Sequence, residues 1–213
     1  MYVTAVHDTE QTIARNRLLP VVVIDDAAAA EPLADALIAG GLPCAEITFR
    51  TAAAADAIKA MAARSEMAVG AGTVLTVEQV DRAVDAGAKF VVSPGFAPAV
   101  VQRCRDLNIP VYPGAATATE IQMALDAGLG TVKFFPAEQL GGAAMIKALA
   151  APFRQVTFIP TGGVTTDNLG EYLALPSVLA VGGTWMVAAD LLKNRDWAEV
   201  TRRTRAAVER VSR

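Results

Sequence analysis

The sequence is poor in the side chains that most often carry proton transfer and metal chemistry. Its 213 residues include one histidine, His7, and two cysteines, Cys44 and Cys104. With its only histidine near the N-terminus, the chain is not expected to build a histidine-rich zinc site or a Ser-His-Asp triad. The cysteines have no motif spacing and no signal peptide is recognisable, so we expect free thiols in a reducing, cytoplasmic compartment. Proton transfer would then use Glu, Asp, Lys, Tyr or water.

Charge and hydropathy argue against two classes of partner. The net charge is −3 at pH 7 with no long run of one sign, so no nucleic acid is expected. No apolar stretch of about 18 residues is free of charged or turn residues, so no membrane span is expected. Aromatic residues make up only 6% of the chain and hydrophobic residues 53%. The core should therefore consist of Val, Ile, Leu and Ala, as in a helix-covered parallel sheet.

Short apolar strands alternate with alanine-rich helices along the whole chain, at a period of roughly 22 residues. The predicted strands are 21–24, 44–49, 67–70, 89–93, 109–112, 131–135, 156–160 and 178–182. This alternation predicts an α/β fold with parallel pairing, and eight units fit a closed (β/α)8 TIM barrel. An additional N-terminal helix is predicted within residues 1–19, and residues 1–213 are expected to form one domain. The competing open doubly wound sheet lacks its Gly-x-Gly-x-x-Gly fingerprint here.

One lysine, Lys133, lies inside the apolar strand Thr131-Val132-Lys133-Phe134-Phe135. Lysine is almost never fully buried unless it is paired or used. Burial disfavours the charged ammonium, and a neutral amine at a strand end can attack a carbonyl carbon to form a Schiff base. The strand alone equally allows a lysine that reaches the barrel mouth or pairs with a carboxylate.

Glu46 is the second unusual residue, because it lies within another predicted strand. Residues two apart on a strand share a face, so Glu46, Thr48 and Arg50 are expected to point into the barrel. A buried carboxylate is costly without a partner or a function. It could be a structural ion pair with Arg50 or Lys133, or a general acid/base whose proton affinity burial raises and Lys133 limits.

Two glycine pairs stand at the ends of the last two predicted strands, Gly162-Gly163 and Gly182-Gly183, and Thr184 comes next. In many barrels the loops after strands seven and eight form a phosphate site. Glycines leave backbone N–H groups uncovered, and Thr184 adds a hydroxyl donor. The alternative is two tight turns that merely need glycine. Their occurrence together at the two expected positions favours phosphate.

Several segments together resemble a known family. They are Glu46-Ile47-Thr48-Phe49-Arg50-Thr51, Gly70-Ala71-Gly72-Thr73-Val74-Leu75, Ser93-Pro94-Gly95, Val132-Lys133-Phe134-Phe135-Pro136-Ala137-Glu138, Pro160-Thr161-Gly162-Gly163-Val164 and Gly182-Gly183-Thr184-Trp185. The chain thereby resembles the class I aldolases that cleave 2-keto-3-deoxy-6-phosphogluconate (KDPG) and often also 4-hydroxy-2-oxoglutarate (KHG).

The resemblance implies roles for individual residues. Lys133 would be the Schiff-base lysine and Glu46 the general acid/base. The substrate-binding residues it implies are Arg50, Thr73 and Pro94 at the pyruvoyl end, Phe135 in the pocket wall, and Gly162, Gly163, Gly183 and Thr184 at the phosphate. The family often has serine at position 184, but the hydroxyl is kept here. Arg50 favours the gluconate substrate, because relatives acting on the galactonate epimer tend to lack this arginine.

The resemblance also implies a place for the protein and its partners. It implies a lyase of the Entner–Doudoroff pathway that acts on a phosphorylated sugar acid, needs no metal or cofactor and forms a homotrimer. Two other functions remain open from the residues alone. One is a phosphate-binding barrel isomerase or epimerase, with Glu46 as base and Lys133 as its electrostatic partner. The other is a non-catalytic phosphosugar-binding barrel, although the joint presence of Lys133 and Glu46 argues against it.

Overall fold

A computed structural model describes residues 2–211 as parallel strands that alternate with helices. The strands are β1 (Leu18–Val22), β2 (Cys44–Thr48), β3 (Ala68–Gly72), β4 (Val91–Val92), β5 (Val111–Tyr112), β6 (Thr131–Phe134), β7 (Thr157–Pro160) and β8 (Val181–Gly183). The helices are α1 (Tyr2–Asn16), α2 (Ala30–Ala39), α3 (Ala54–Ala62), α4 (Val77–Asp85), α5 (Pro98–Asp106), α6 (Ala118–Asp126), α7 (Gly142–Ala150), α8 (Leu169–Leu173), α9 (Ala189–Asn194) and α10 (Trp197–Val211).

The strands form a curled, wholly parallel arrangement. Six strands pair in the order β5-β4-β3-β2-β1-β8, and β6 pairs with β7. Single bridges connect the two groups: Gly114 with Lys133 on one side, and Phe158 with Val178 and Thr161 with Gly182 on the other. The predicted α/β class with parallel pairing is therefore confirmed. Since all strands run the same way, their carboxyl ends meet at one edge, where the active site of such folds lies.

Most element boundaries agree with the prediction to within two residues, but the first and last strands shift. β1 begins at Leu18 and not at Val21, because Leu18 and Leu19 pair with Val181 and Gly182 of β8. β8 correspondingly begins at Val181, and Val178 makes only a single bridge to Phe158. Pairing between strands distant in sequence decides these ends, and local periodicity does not contain that information.

The helix α1 packs at the end of the sheet opposite to the strands' carboxyl ends. Ile13 of α1 is fully buried, and the Glu10 carboxylate accepts a hydrogen bond from Thr131 Oγ1 at 2.6 Å. Thr131 is the first residue of β6, and its hydroxyl also lies 2.8 Å from that of Thr157, the first residue of β7. The helix thus contacts the amino end of β6, and the carboxyl ends of the strands lie on the opposite side of the sheet.

The C-terminal helix α10 packs against α2. Thr201 Oγ1 donates to the carbonyl of Ala36 at 3.1 Å. A Cβ on Gly40 would lie 2.6 Å from Cβ and Cγ2 of Thr204, so the two helices approach too closely there for any side chain but hydrogen. The apolar side of α10, with Val200 and Ala207 buried, therefore lies on its own chain.

Other expectations concern thiols and the membrane. Cys44 and Cys104 are both free and buried, and burial raises the pKa of each thiol to about 12. Within residues 2–211, no helix is long and apolar enough to cross a membrane.

Candidate active site

Lys133 and Glu46 meet inside the curled sheet as a buried ion pair. Lys133 Nζ lies 3.0 Å from Glu46 Oε1, and only 5% of Lys133 and 1% of Glu46 are exposed. Lys133 Nζ also lies 5.4 Å from the centre of the Phe135 ring, close enough for a cation–π contact. Lys133 comes from β6 and Glu46 from β2, so the two sheet groups supply one partner each. Of the two ion pairs that the sequence allowed for Glu46, this is the one that forms.

Gly72 on β3 makes room for the Glu46 carboxylate. In the β2–β3 register, Glu46 lies opposite Gly70 and Thr48 opposite Gly72. A Cβ built on Gly72 would lie 2.1 Å from Glu46 Oε1 and 2.5 Å from its Cγ. The carboxylate therefore lies over the bare Cα of Gly72, and any larger residue would displace it from Lys133.

Arg50 is not placed on the inner face as the sequence predicted. Strand β2 ends at Thr48, whose buried hydroxyl donates to the carbonyl of Val22 at 2.8 Å. Arg50 lies beyond, in an exposed turn, so the two-residue alternation no longer applies to it. Thr51 holds this turn by donating to the carbonyl of Ile24 at 2.5 Å. Phe49 is only partly buried, and the Arg82 guanidinium lies over its ring at 5.5 Å.

Thr73 and Pro94 lie at the carboxyl ends of neighbouring strands. Thr73 directly follows β3 with φ of +55°, a left-handed conformation that is unusual for a β-branched residue. Such strain persists only where the surroundings enforce it, and it concentrates at functional sites. Pro94 lies in the turn after β4, where a Cβ on Gly114 would lie 2.1 Å from the Pro94 carbonyl oxygen. The turns after β4 and β5 therefore touch through bare backbone.

The candidate phosphate residues lie in the turn after β7 and at the carboxyl end of β8. Gly162 and Gly163 have φ of +100° and +78°, so both occupy conformations that favour glycine. Asn168 Nδ2 donates to the Gly163 carbonyl at 3.1 Å, and its Oδ1 accepts from Thr165 N at 2.8 Å, which fixes the far side of the turn. A Cβ on Gly183 would lie 1.7 Å from the Trp185 ring. Thr184 follows with its side chain exposed.

The chain matches one protein family and several of its members in sequence. The model for KDPG and KHG aldolases matches residues 9–203. The chain belongs to the KDPG and KHG aldolase family. It is 53% identical over 192 residues to the 2-dehydro-3-deoxy-phosphogluconate aldolase of Treponema pallidum (strain Nichols), which covers 90% of this chain and 91% of that protein. The KHG/KDPG aldolase of Escherichia coli (strain K12) is 43% identical over 201 residues, with 94% of each chain covered.

Solved structures of family members have the same fold. The KDPG aldolase of Zymomonas mobilis ZM4 with 3-phosphoglycerate superposes with a TM-score of 0.90 at 41% identity, covering 95% of this chain and 96% of that one. The Legionella pneumophila KDPG aldolase, with pyruvate captured as a covalent carbinolamine intermediate, also gives 0.90, at 39% identity and coverage of 93% and 97%.

Thr161 belongs to this region of the aldolase chain but was not among the residues singled out from the sequence. It directly follows β7 and is 5% exposed, and its Oγ1 has no hydrogen-bond partner within residues 2–211. A Cβ on Gly182 would lie 2.2 Å from this oxygen. A buried hydroxyl without a partner is costly unless a ligand or water satisfies it. The sequence signal that could have identified Thr161 is its position directly before Gly162-Gly163. Only the two glycines of that turn were assigned to phosphate binding.

Neither a metal-ligating cluster nor a cavity marks a second catalytic site within residues 2–211. Among the described residues, no three His, Cys, Asp or Glu side chains cluster tightly enough to hold a metal ion. A cavity of about 410 Å³ lies between the end of α7 and the start of β7, lined by Lys147, Arg154 and Thr157 among others. It lies at the amino ends of the strands, away from the Lys133–Glu46 pair.

Proposed function

We propose that this protein is a class I aldolase that cleaves KDPG to pyruvate and D-glyceraldehyde 3-phosphate through a Schiff base on Lys133. The observation that carries the proposal is the buried contact of Lys133 Nζ with Glu46 Oε1 at 3.0 Å. It puts the only lysine inside a β-strand next to the only carboxylate inside one, among the described residues. Family membership and the covalent pyruvate intermediate of the Legionella relative support the same chemistry.

The first half of the reaction builds an electron sink. Transfer of the ammonium proton from Lys133 to Glu46 leaves a neutral amine, which attacks the C2 ketone of KDPG to give a carbinolamine. Glu46, directly or through a water, returns the proton to the C2 hydroxyl, and water leaves as the iminium forms. The positive iminium nitrogen then withdraws electrons from the neighbouring C3–C4 bond.

The second half breaks the carbon–carbon bond. Glu46, or its water, removes the proton of the C4 hydroxyl, the C3–C4 electron pair moves toward the iminium, and glyceraldehyde 3-phosphate leaves. The resulting enamine takes a proton at C3, and water hydrolyses the iminium to release pyruvate. Each proton taken is returned, so one carboxylate can serve every step, a contribution of roughly 10²–10⁴-fold to the rate.

The remaining residues are assigned to the two ends of the substrate. We assign Arg50, Thr73 and Pro94 to the pyruvoyl carboxylate end and Phe135 to the wall beside Lys133. The turns with Gly162, Gly163, Gly183 and Thr184 would hold the phosphate through backbone N–H groups and one hydroxyl. Their positions at the carboxyl ends of β7 and β8 support this assignment. Because Arg50 is exposed in a turn, it would have to reach inward over the bound carboxylate.

The same site accommodates KHG, which shares the 2-oxo group and the C4 hydroxyl but has no phosphate. Cleavage of KHG would give pyruvate and glyoxylate by the same steps. The name of the Escherichia coli relative, KHG/KDPG aldolase, supports this second activity.

We further propose that the eight strands close into a (β/α)8 barrel as one domain spanning the chain. The bridges at Gly114, Phe158 and Thr161, which join the two sheet groups on both sides, support closure. A homotrimer working in the cytoplasm is the assembly and location we propose from the family resemblance.

The test is reductive trapping with pyruvate. Only an iminium is reduced by borohydride to a stable secondary amine, so mass spectrometry of the peptide containing Lys133 should show a reduced pyruvyl group. Borohydride without pyruvate is the control. A barrel isomerase or a phosphosugar-binding protein would give no adduct, and an adduct on Lys89 or Lys147 in place of Lys133 would contradict the assignment.

A further inference from the structure

The loop after β6 and the turn after β7 are joined by backbone hydrogen bonds beyond the ends of their strands. Thr161 N donates to the Phe134 carbonyl at 2.9 Å, Ala137 N to the Thr161 carbonyl at 2.8 Å, and Glu138 N to the Gly162 carbonyl at 3.1 Å. The strand that carries Lys133 therefore continues directly into the residues that border the candidate phosphate turn.

The side chain of Glu138 packs on that turn. A Cβ on Gly163 would lie 2.6 Å from Cβ and Cγ of Glu138, so the methylene stem of Glu138 covers the Gly163 Cα on that side. Gly163 adopts φ of +78°. Because glycine has no side chain and tolerates many backbone conformations, neighbouring groups must hold it in this one. Asn168 holds the Gly162–Gly163 turn through the Gly163 carbonyl, and the Glu138 side chain supports the same turn at the Gly163 Cα.

Tyr172 of α8 fixes the end of the Glu138 side chain. Its hydroxyl donates to Glu138 Oε1, and 99% of Tyr172 is buried while Glu138 is exposed. A Cβ on Gly142, the first residue of α7, would lie 3.2 Å from Glu138 Oε1 and 3.3 Å from the Tyr172 hydroxyl, so α7 also closes on this contact. Burial, together with the hydrogen bond to Glu138, raises the pKa of Tyr172, so the hydroxyl stays protonated and continues to donate.

We propose that Glu138, held by Tyr172, is a positioning residue that fixes the Gly162–Gly163 turn for the substrate's phosphate and so sets the preference for phosphorylated substrates. This inference rests on the proposed aldolase function. It assigns Glu138 no contact with substrate. Its effect should appear in binding of the phosphate end and not in chemistry at Lys133.

The test uses one phosphate-dependent and one phosphate-independent measurement on the same variants. The first is KM for KDPG, with pyruvate release followed by lactate dehydrogenase. The second is the rate at which borohydride with pyruvate alone inactivates the enzyme, which needs no phosphate turn. Tyr172→Phe removes the donor and keeps the ring, Glu138→Ala removes stem and acceptor, and Glu138→Gln keeps both. Glu171→Ala removes an exposed carboxylate from the same helix as a matched control.

We expect Tyr172→Phe and Glu138→Ala to raise KM for KDPG by about three- to tenfold, as loss of one hydrogen bond would. Their trapping rates should stay within twofold of wild type, and Glu138→Gln and Glu171→Ala should resemble wild type in both measurements. An unchanged KM for KDPG in Tyr172→Phe would overturn the proposal. So would a rise in KM accompanied by a proportional fall in the rate of pyruvate trapping. If wild type forms no pyruvate adduct, the aldolase proposal itself has failed, which is a separate result. Should Glu138→Ala not fold, Tyr172→Phe decides alone.

Discussion

Replacing Gly72 by alanine should impair catalysis far more than folding. The added Cβ would lie 2.1 Å from Glu46 Oε1, whereas real contacts of a Cβ are hardly ever shorter than 3.0 Å. The carboxylate must therefore retreat by about 1 Å, and a misplacement of that size can cost on the order of 10²-fold in rate. Because the group that yields is the end of a flexible side chain, the loss of stability should stay near the low end of the roughly 1–3 kcal/mol typical of overpacking.

Gly70→Ala is the matched control, two residues earlier on β3. Its Cβ would lie 2.2 Å from the Phe90 ring, a rigid and fully buried group that can move only if the surrounding core moves with it. We expect this variant to lose more stability, with a fall in Tm of about 2–4 °C for each kcal/mol, and to keep its rate of pyruvate trapping. The assays for both variants are kcat for KDPG, the rate of pyruvate trapping and a thermal melting curve.

The two substitutions should give opposite patterns, and that is what makes the reasoning refutable. If Gly72→Ala kept kcat within threefold of wild type, the position of the carboxylate over Gly72 would not matter for catalysis. If Gly72→Ala and Gly70→Ala lost kcat and Tm in the same proportion, crowding of β3 in general would explain both.

Three further predictions follow from the same site. Lys133→Arg should abolish turnover and pyruvate trapping, because a guanidinium stays protonated; residual turnover, or pyruvate trapped on another lysine, would contradict this. Glu46→Gln should lower kcat strongly while KM changes little, since the shape is kept and the titrating group is lost; steady-state kinetics that leave kcat within about threefold would remove Glu46 from proton transfer. Thr73→Gly should leave Tm unchanged or higher because it relieves the left-handed strain, yet lower kcat/KM because the hydroxyl is lost; a lower Tm with unchanged kcat/KM would show that Thr73 serves the fold only.

Much of the fold could be predicted because each strand and helix carries its own periodicity. The alternation of short Val- and Ile-rich runs with alanine-rich helices predicts parallel strands, and every strand pair of the described residues is parallel. The ends of β1 and β8 were wrong because they depend on pairing between Leu18 and Val181, far apart along the chain.

The candidate site was predictable where a residue was unusual for its strand. A lysine and a glutamate inside apolar strands stand out locally, and the structure brings Lys133 and Glu46 together. Arg50 was expected on the inner face because the alternation was extended past Thr48, where the strand ends and the chain turns.

Other features could not be predicted from the sequence, because they depend on how side chains pack across strands and loops. Gly72 was not singled out from the sequence, and only the path of the Glu46 side chain across β3 places this glycine under the carboxylate. Gly163 was interpreted as a contact for phosphate, but its Cα also packs against Glu138. A bulky residue at Gly163 would therefore disturb Glu138 as well as any bound phosphate, so it could not test the two roles separately.

Because the two residues of the reacting pair belong to different strand groups, pyruvate trapping can report whether separate parts of the chain have docked. Glu46 lies in the six-stranded group and Lys133 in the β6–β7 pair, and within the described residues the backbone strand pairing between the two groups consists of isolated bridges. A chain divided in the loop between β5 and α6 would put the acid on one fragment and the nucleophile on the other. Neither fragment could form the pair alone, so recovery of pyruvate trapping on mixing would measure docking of the two halves and allow the enzyme to serve as a complementation tag.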